Sequence, residues 1–275
     1  TNTFEATRGC IHRCEFCVVP NAWGTRPFQK PVSHIVDDIK RRGARKILFY
    51  DLNLFADFTY ARELLEALVP LKVTWFGLST TLIGRDPSLL ELAARSGCRG
   101  LLIGFESVSP ATLKSFDKGF NDPKEYRELI ERLHASKILV NGTFVFGNDT
   151  DDLKSFDEVR DFVLTSKIDL PRFAIMTPFP GTPLFNRLKS EQRILHEDWS
   201  KYDGQHVVFQ PTTMTPEELQ IGHERVWKEV YSWRSISRRA RLQLENLPLW
   251  WGANLAYRFY ARNLSRFYNC NGGAL

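Results

Sequence analysis

Short apolar runs alternate with amphipathic stretches along the first 180 residues of the chain. Residues 4–8 open it as a strand, and residues 33–42 follow as a helix with Gly43 where a left-handed C-terminal cap belongs. K-I-L-F-Y-D, residues 46–51, is nearly all apolar, as suits a strand covered on both faces. Leu64, Leu65 and Leu68 share one face of a helix over 58–69, and residues 73–80 make the next strand. Asp86-Pro87 reads as an N-cap followed by a first-turn proline, and the helix it opens closes at Gly97. Residues 100–107 are a fourth strand, and Ser109-Pro110 and Asp122-Pro123 repeat the helix-start chemistry. Tyr126, Leu129, Ile130 and Leu133 form a helical stripe. Residues 139–147 are a fifth strand, and Leu153, Phe156, Val159 and Phe162 mark a fifth helix. Residues 172–178 are a sixth strand.

Six strand–helix units in alternation predict an α/β fold, a parallel sheet with helices outside it. That number of units closes only part of a (β/α)6 barrel, and periodicity alone leaves a doubly wound open sheet as an alternative. After Pro183 the rhythm stops. The expected organisation is a core over 1–183 and a mostly helical extension over 184–275. Within the extension, residues 198–214 read as irregular with a short strand over 207–210. Thr215, Pro216 and Glu218 then form a capping box that starts a long helix. It is expected to run to about residue 245 and to stop at Pro248.

At 275 residues and 43% hydrophobic, the chain is long enough for one large core. No apolar run reaches membrane-spanning length. The net charge of +5 permits an acidic partner without requiring nucleic acid. Lys40, Arg41, Arg42, Arg45 and Lys46 read as a solvated helix end. Arg234, Arg238, Arg239 and Arg241 form a second basic cluster. In the tail, Arg258, Arg262 and Arg266 fall on one helical ridge beside Trp250, Trp251, Phe259 and Tyr260. That arrangement suits a helix packed on the body with snorkelling arginines, or one touching a membrane surface, in that order.

Cysteine changes the picture. There are five, an odd number in a long chain, and no signal peptide is visible, so a disulfide framework is not expected and a reducing, cytoplasmic setting is. Cys10, Cys14 and Cys17 stand in the spacing C-x3-C-x2-C. Three thiolates hold three irons of a cubane and leave the fourth open for chemistry. With His12 they also make a Cys3His zinc set, although zinc ligands usually come as two separated pairs. Cys98 and Cys270 stand alone.

The cysteine run, with Phe16 just before its last member, resembles the signature of the radical S-adenosylmethionine superfamily. T-R-G-C, L-I-G-F-E-S, G-T-F-V-F-G and P-F-P-G-T-P resemble its cobalamin-dependent branch, over roughly residues 4–240. The resemblance implies a partial (β/α)6 barrel and a [4Fe-4S] cluster on Cys10, Cys14 and Cys17. It implies that the open iron binds the amino and carboxylate groups of S-adenosylmethionine. One electron then breaks the sulfur–C5′ bond, methionine leaves, and a 5′-deoxyadenosyl radical takes hydrogen from a substrate. Methyl transfer to an unactivated carbon is the leading outcome, and oxidative cyclisation is the other known in the branch.

The resemblance also assigns cofactor contacts. Asp51 and Asn53 stand where the superfamily contacts the methionine amine, although D-L-N replaces its usual G-G-E. Ser79 closes the third strand. Glu106 would bond the ribose hydroxyls or the amine, the alternative being an ion pair with a nearby arginine. Phe16, Phe144, Val145 and Met176 would approach the adenine, with plain core as the other reading of the last three. An external electron donor such as a flavodoxin or ferredoxin is implied. The chain opens at Thr1 close to the cysteine run, so a cobalamin-binding domain is expected upstream. The rival readings are a methylthiotransferase acting on tRNA, which would need a C-terminal β module, and a zinc-binding interaction domain. The substrate is not readable, beyond a hint of something large and apolar from the aromatic tail.

Overall fold

In the computed structural model, residues 1–240 and 247–267 are described. The strands are β1 (Asn2–Phe4), β2 (Thr7–Arg8), β3 (Phe28–Gln29), β4 (Lys46–Phe49), β5 (Thr74–Ser79), β6 (Cys98–Glu106), β7 (Leu139–Phe146) and β8 (Arg172–Ile175). Between them lie α1 (Val19–Trp23), α2 (Val32–Arg41), α3 (Phe58–Leu68), α4 (Pro87–Arg95), α5 (Pro110–Ser115), α6 (Tyr126–Ala135) and α7 (Leu153–Ser166). Then come α8 (Pro183–Ser190), α9 (Pro216–Val230), α10 (Trp233–Arg239), α11 (Leu247–Arg262) and α12 (Leu264–Phe267). The main sheet has six strands in the order β1-β4-β5-β6-β7-β8. The order never reverses, so there is no topological switch point, and the doubly wound alternative is removed.

The helices begin where short polar side chains cap them. Asp86, Ser109, Asp152, Thr182 and Thr215 each accept a backbone N–H of the following turn. Gly97 ends α4 at φ +102, where a Cβ would lie 1.9 Å from the Val73 carbonyl oxygen, so only glycine fits.

The chain divides into two compact units. The first comprises Thr1–Arg13, Val19–Phe105 and Phe120–Asn141. Trp75 sits in its core, edge-on to Phe49 at 5.7 Å and bonded through Nε1 to Ser96 Oγ at 3.0 Å. The second comprises Cys14–Val18, Glu106–Gly119 and Gly142–Leu275. There α7 and α9 pack closely because Gly222 lets the Phe156 ring approach. Phe173 of β8 meets Trp227 of α9 edge-on at 5.3 Å. No helix among the described residues is long and apolar enough to cross a membrane.

Several expectations need correction. The strand over 4–8 is two pieces, because the Asp51 carboxylate takes the backbone N–H groups of Ala6 and Thr7. Thr7–Arg8 turns away to pair antiparallel with Phe28–Gln29. Asp122 caps a turn through the Lys124 N–H, and α6 starts later, at Tyr126. The sixth strand stops at Ile175, three residues before Pro178. Residues 207–210 hold only a bridge between Ile194 and Phe209. Pro183 opens a helix rather than ending the pattern. The long helix breaks after Val230, where Ser232 caps a new one by accepting the Ser235 N–H. Pro248 lies within α11, so it does not stop a helix, and the end expected near residue 245 lies outside the described residues.

The basic cluster also separates. Arg234 and Arg238 are exposed, but Arg239 is buried. Its guanidinium donates to the carbonyl oxygens of Ile168, Asp169 and Val230 and to Asn254 Oδ1, at 2.8–3.2 Å. Arg241 lies outside the described residues, as does Cys270. Arg258 packs over the Trp233 ring at 4.4 Å and donates to the Tyr231 carbonyl oxygen, while Arg262 and Arg266 are exposed. The Lys40–Lys46 run is exposed apart from Gly43's neighbour Ala44, with Arg41 and Arg42 paired to Asp38.

Candidate active site

The first unit carries Cys10, Asp51, Asn53 and Ser79. Cys10 is half-buried in the loop after β2 and is not in a disulfide. The His12 ring stacks on Phe120 at 4.0 Å, a packing role. Asp51 is fully buried beyond β4. Its carboxylate accepts the Ala6 N–H at 3.0 Å, the Thr7 N–H, and the Thr7 hydroxyl at 2.8 Å. Burial pushes this carboxyl up, and those hydrogen bonds work against the rise. Asp51 thus braces the start of the chain. Asn53, two residues on, is 2% exposed, and its Oδ1 accepts no hydrogen bond from the described residues. A buried acceptor without a donor is costly, so this atom suits a ligand that brings N–H groups. The ammonium of S-adenosylmethionine does. Ser79 is buried at the end of β5 and donates to the Thr80 carbonyl oxygen at 2.9 Å.

The second unit carries the other two cysteines. Cys14 is buried and Cys17 half-buried, and the Cys17 N–H closes a turn on the Cys14 carbonyl oxygen at 3.0 Å. This turn is stapled at Glu15. Its N–H donates to the Phe116 carbonyl oxygen at 3.2 Å, and its own carbonyl oxygen accepts the Leu184 N–H at 3.1 Å. Its carboxylate takes Arg187 Nε at 2.7 Å and Nη2 at 3.4 Å. Arg187 also donates to Asp149 Oδ2 at 2.7 Å, and Asp149 further accepts Arg193 at 2.5 Å and the Thr212 hydroxyl at 2.6 Å. Burial raises the Asp149 carboxyl, but its hydrogen bonds and the charge of Arg193 outweigh that and hold it at about 2. Phe16 meets the Phe116 ring edge-on at 4.9 Å.

Glu106 ends β6 at φ +64, a left-handed conformation that a glutamate adopts only under constraint. It is 7% exposed. Lys118 Nζ donates to its Oε1 at 2.6 Å, and the Thr143 hydroxyl stands 3.5 Å from Oε2. Glu106 is thus ion-paired, with a lysine rather than the arginine of the alternative reading. Phe144 is core: its ring meets Phe162 and Phe173 at 6.2 and 6.1 Å on the helix-facing side. Val145 is half-buried on the opposite face, and Met176 is 1% exposed just beyond β8. Asp151, after β7, accepts the Gly147 and Asn148 N–H groups at 3.0 Å and the Thr112 hydroxyl at 3.1 Å. Burial pushes it up to about 6 against those bonds.

Lys118, Arg187, Asp149 and Asp151 escaped the sequence reading. Each acts through a partner 12 to 172 positions away, a separation no local spacing marks. Among the described residues no three His, Cys, Asp or Glu side chains gather closely enough for one metal ion. A cubane asks less of them, since each thiolate binds its own iron at a separate corner. The donor set, three thiols outside disulfides in C-x3-C-x2-C, fits that group.

Comparison with known proteins agrees. The Radical SAM superfamily matches residues 4–163, and a domain of unknown function (DUF4070) matches residues 182–267. The bacteriochlorophyllide d C-12(1)-methyltransferase of Chlorobaculum tepidum is 36% identical over 94% of this chain and 58% of its own length. The C-8(2)-methyltransferase of the same organism is 29% identical over 85% of this chain and 54% of its own. The chain thus spans little more than half the length of these relatives. Among solved structures, the cobalamin-dependent S-adenosylmethionine radical enzyme OxsB, with aqua-cobalamin and S-adenosylmethionine bound, shares the fold. Its TM-score is 0.65 at 15% identity, covering 96% of this chain and 46% of that one. A consecutive parallel sheet, a three-cysteine loop and a match over more than half the residues place this chain in the radical SAM superfamily, whose common cofactors are a [4Fe-4S] cluster and S-adenosylmethionine.

Proposed function

We propose that this chain is the radical-generating part of a cobalamin-dependent methyltransferase acting on an unactivated carbon. The observation that carries the cofactor chemistry is the donor set at Cys10, Cys14 and Cys17 together with the unmet acceptor at Asn53. Bound there, the cluster supplies the electron that splits the sulfur–C5′ bond of S-adenosylmethionine into methionine and a 5′-deoxyadenosyl radical. Cys10, Cys14 and Cys17 hold three irons as thiolates. Glu15 and Arg187 keep the Cys14–Cys17 turn in place. Asn53 Oδ1 accepts an ammonium N–H of the methionine moiety. Glu106, held by Lys118, offers its remaining lone pairs to the ribose hydroxyls. Phe16, Val145 and Met176 supply apolar surface near the adenine, and Ser79 supports the strand end. Phe144 and Asp51 act through packing and bracing instead.

Methyl transfer leads over cyclisation because both relatives above are methyltransferases. Cobalamin comes from the same likeness, and no residue of this chain is assigned to it. The described elements from Pro216 onward are all helices, which speaks against the β module of a methylthiotransferase. An external one-electron donor completes the chemistry. The test is oxygen-free reconstitution with iron and sulfide, then addition of S-adenosylmethionine and a strong reductant. The expected product is 5′-deoxyadenosine, and Cys10→Ala should abolish both the cluster absorbance and the product. Product formation by that variant would overturn the cluster assignment.

A further inference from the structure

Within the second unit a hollow of about 360 Å³ opens beside the edge strand β8. Its floor is the β7–β8 ladder, whose register sets Thr143 beside Arg172 and Val145 beside Ala174. Tyr257 and Tyr260 of α11 form a wall, backed by Trp227, whose ring lies 6.0 and 5.0 Å from theirs. The wall is preset, because Trp227 Nε1 is bonded to the Phe173 carbonyl oxygen at 3.0 Å. Gln205 closes the rim. The Ile175 N–H donates to the Gly204 carbonyl oxygen at 2.7 Å and ties that segment to the strand edge.

Two polar groups here are unmet. Arg172 is exposed, and no carboxylate among the described residues pairs with it. The Gln205 Oε1 is buried and accepts no hydrogen bond from the described residues. A lone guanidinium among neutral polar groups balances a monoanion, and its planar fork matches a carboxylate. An amide oxygen calls for a donor, such as a ring N–H. Tyrosine faces stack on flat conjugated rings. The volume is that of a small-molecule site.

We propose that this hollow binds an aromatic carboxylate: a flat ring against Tyr257 and Tyr260, its carboxylate on Arg172, and a ring N–H on Gln205. This names a substrate class for the enzyme proposed above and rests on that reading. Thr143 links the two places, since it lines the hollow and stands 3.5 Å from Glu106 Oε2.

The experiment is calorimetric titration of the cluster-loaded chain with indole-3-propionate, without S-adenosylmethionine or reductant. The expected result is saturable one-to-one binding, with indole-3-propionamide weaker by about tenfold because it lacks the charge-assisted pair. Arg172→Gln should bind acid and amide alike. Gln205→Leu should keep the acid preference but no longer separate indole-3-propionate from its ring N-methyl derivative. Absence of saturable binding, equal affinity for acid and amide, or an acid preference surviving Arg172→Gln overturns the proposal. Because 5′-deoxyadenosine formation is read separately, either reading fails without the other.

Discussion

At the scale of single residues, the site depends on side chains whose hydrogen-bonding capacity is met, or left unmet, inside the fold. Asn53 is the informative case. Asn53→Leu should raise the KM for S-adenosylmethionine cleavage about tenfold while leaving the cluster absorbance unchanged, since one hydrogen bond to a charged group is lost. An unchanged KM would remove Asn53 from the cofactor contacts. Arg187 acts on the loop through Glu15. Arg187→Ala should speed loss of iron to a chelator severalfold, and Arg187→Lys should restore it only in part, because a lysine cannot form the bidentate pair. The cysteine run was visible as a local spacing, and Asn53 was singled out through the resemblance it supports. Lys118 and Arg187 were not, since nothing in a lysine 12 residues past Glu106, or an arginine 172 past Glu15, signals the pairing. The bracing by Asp51 carries no local signal, because its partners Ala6 and Thr7 are 45 and 44 positions away.

At the scale of elements, helix starts were legible because Asp86, Ser109 and Thr215 advertise themselves by side-chain chemistry next to proline. Helix ends in the extension were not. The break after Val230 turns on Ser232 capping α10 and on Arg239 reaching carbonyl oxygens of residues 168 and 169. Packing of α9 on α7 and β8 gives two predictions. A Cβ at Gly222 would lie 2.4 Å from the Phe156 ring, so Gly222→Ala should destabilise the chain by about 1–3 kcal/mol in denaturant melts. His223 is fully buried beside the Phe173 carbonyl oxygen, and burial drops its imidazole to about 4. The unfolded chain therefore binds this proton more readily than the folded one between pH 6.5 and 4. Stability from this group is complete above pH 6.5 and is lost as pH falls toward 4. In thermal melts across that window, His223→Phe should flatten the acid side of the profile, and an equally steep loss in the variant would exclude His223 as its source.

At the scale of the whole molecule, a net charge of +5 bears on electron delivery. Cleavage driven by an acidic flavodoxin should slow as salt rises from 0.05 to 0.5 M, while cleavage driven by dithionite should change far less, because the Debye length shortens from about 14 to about 4 Å and long-range attraction between the proteins is screened. Equal salt responses would argue against electrostatic steering. The α/β class and the six-unit rhythm were determined by sequence alone, because buried parallel strands and amphipathic helices leave periodicities that need no partner to be seen. The cofactor chemistry was implied there too, by the resemblance that the cysteine run carries together with its neighbouring segments, since such short motifs are local along the chain. Tertiary structure alone decided the unbroken strand order, the diversion of Asp51 and Arg239 to bracing, and the gathering of Arg172, Gln205, Tyr257 and Tyr260 around one hollow. These are meetings of residues distant along the chain, and only packing determines which of them share a neighbourhood.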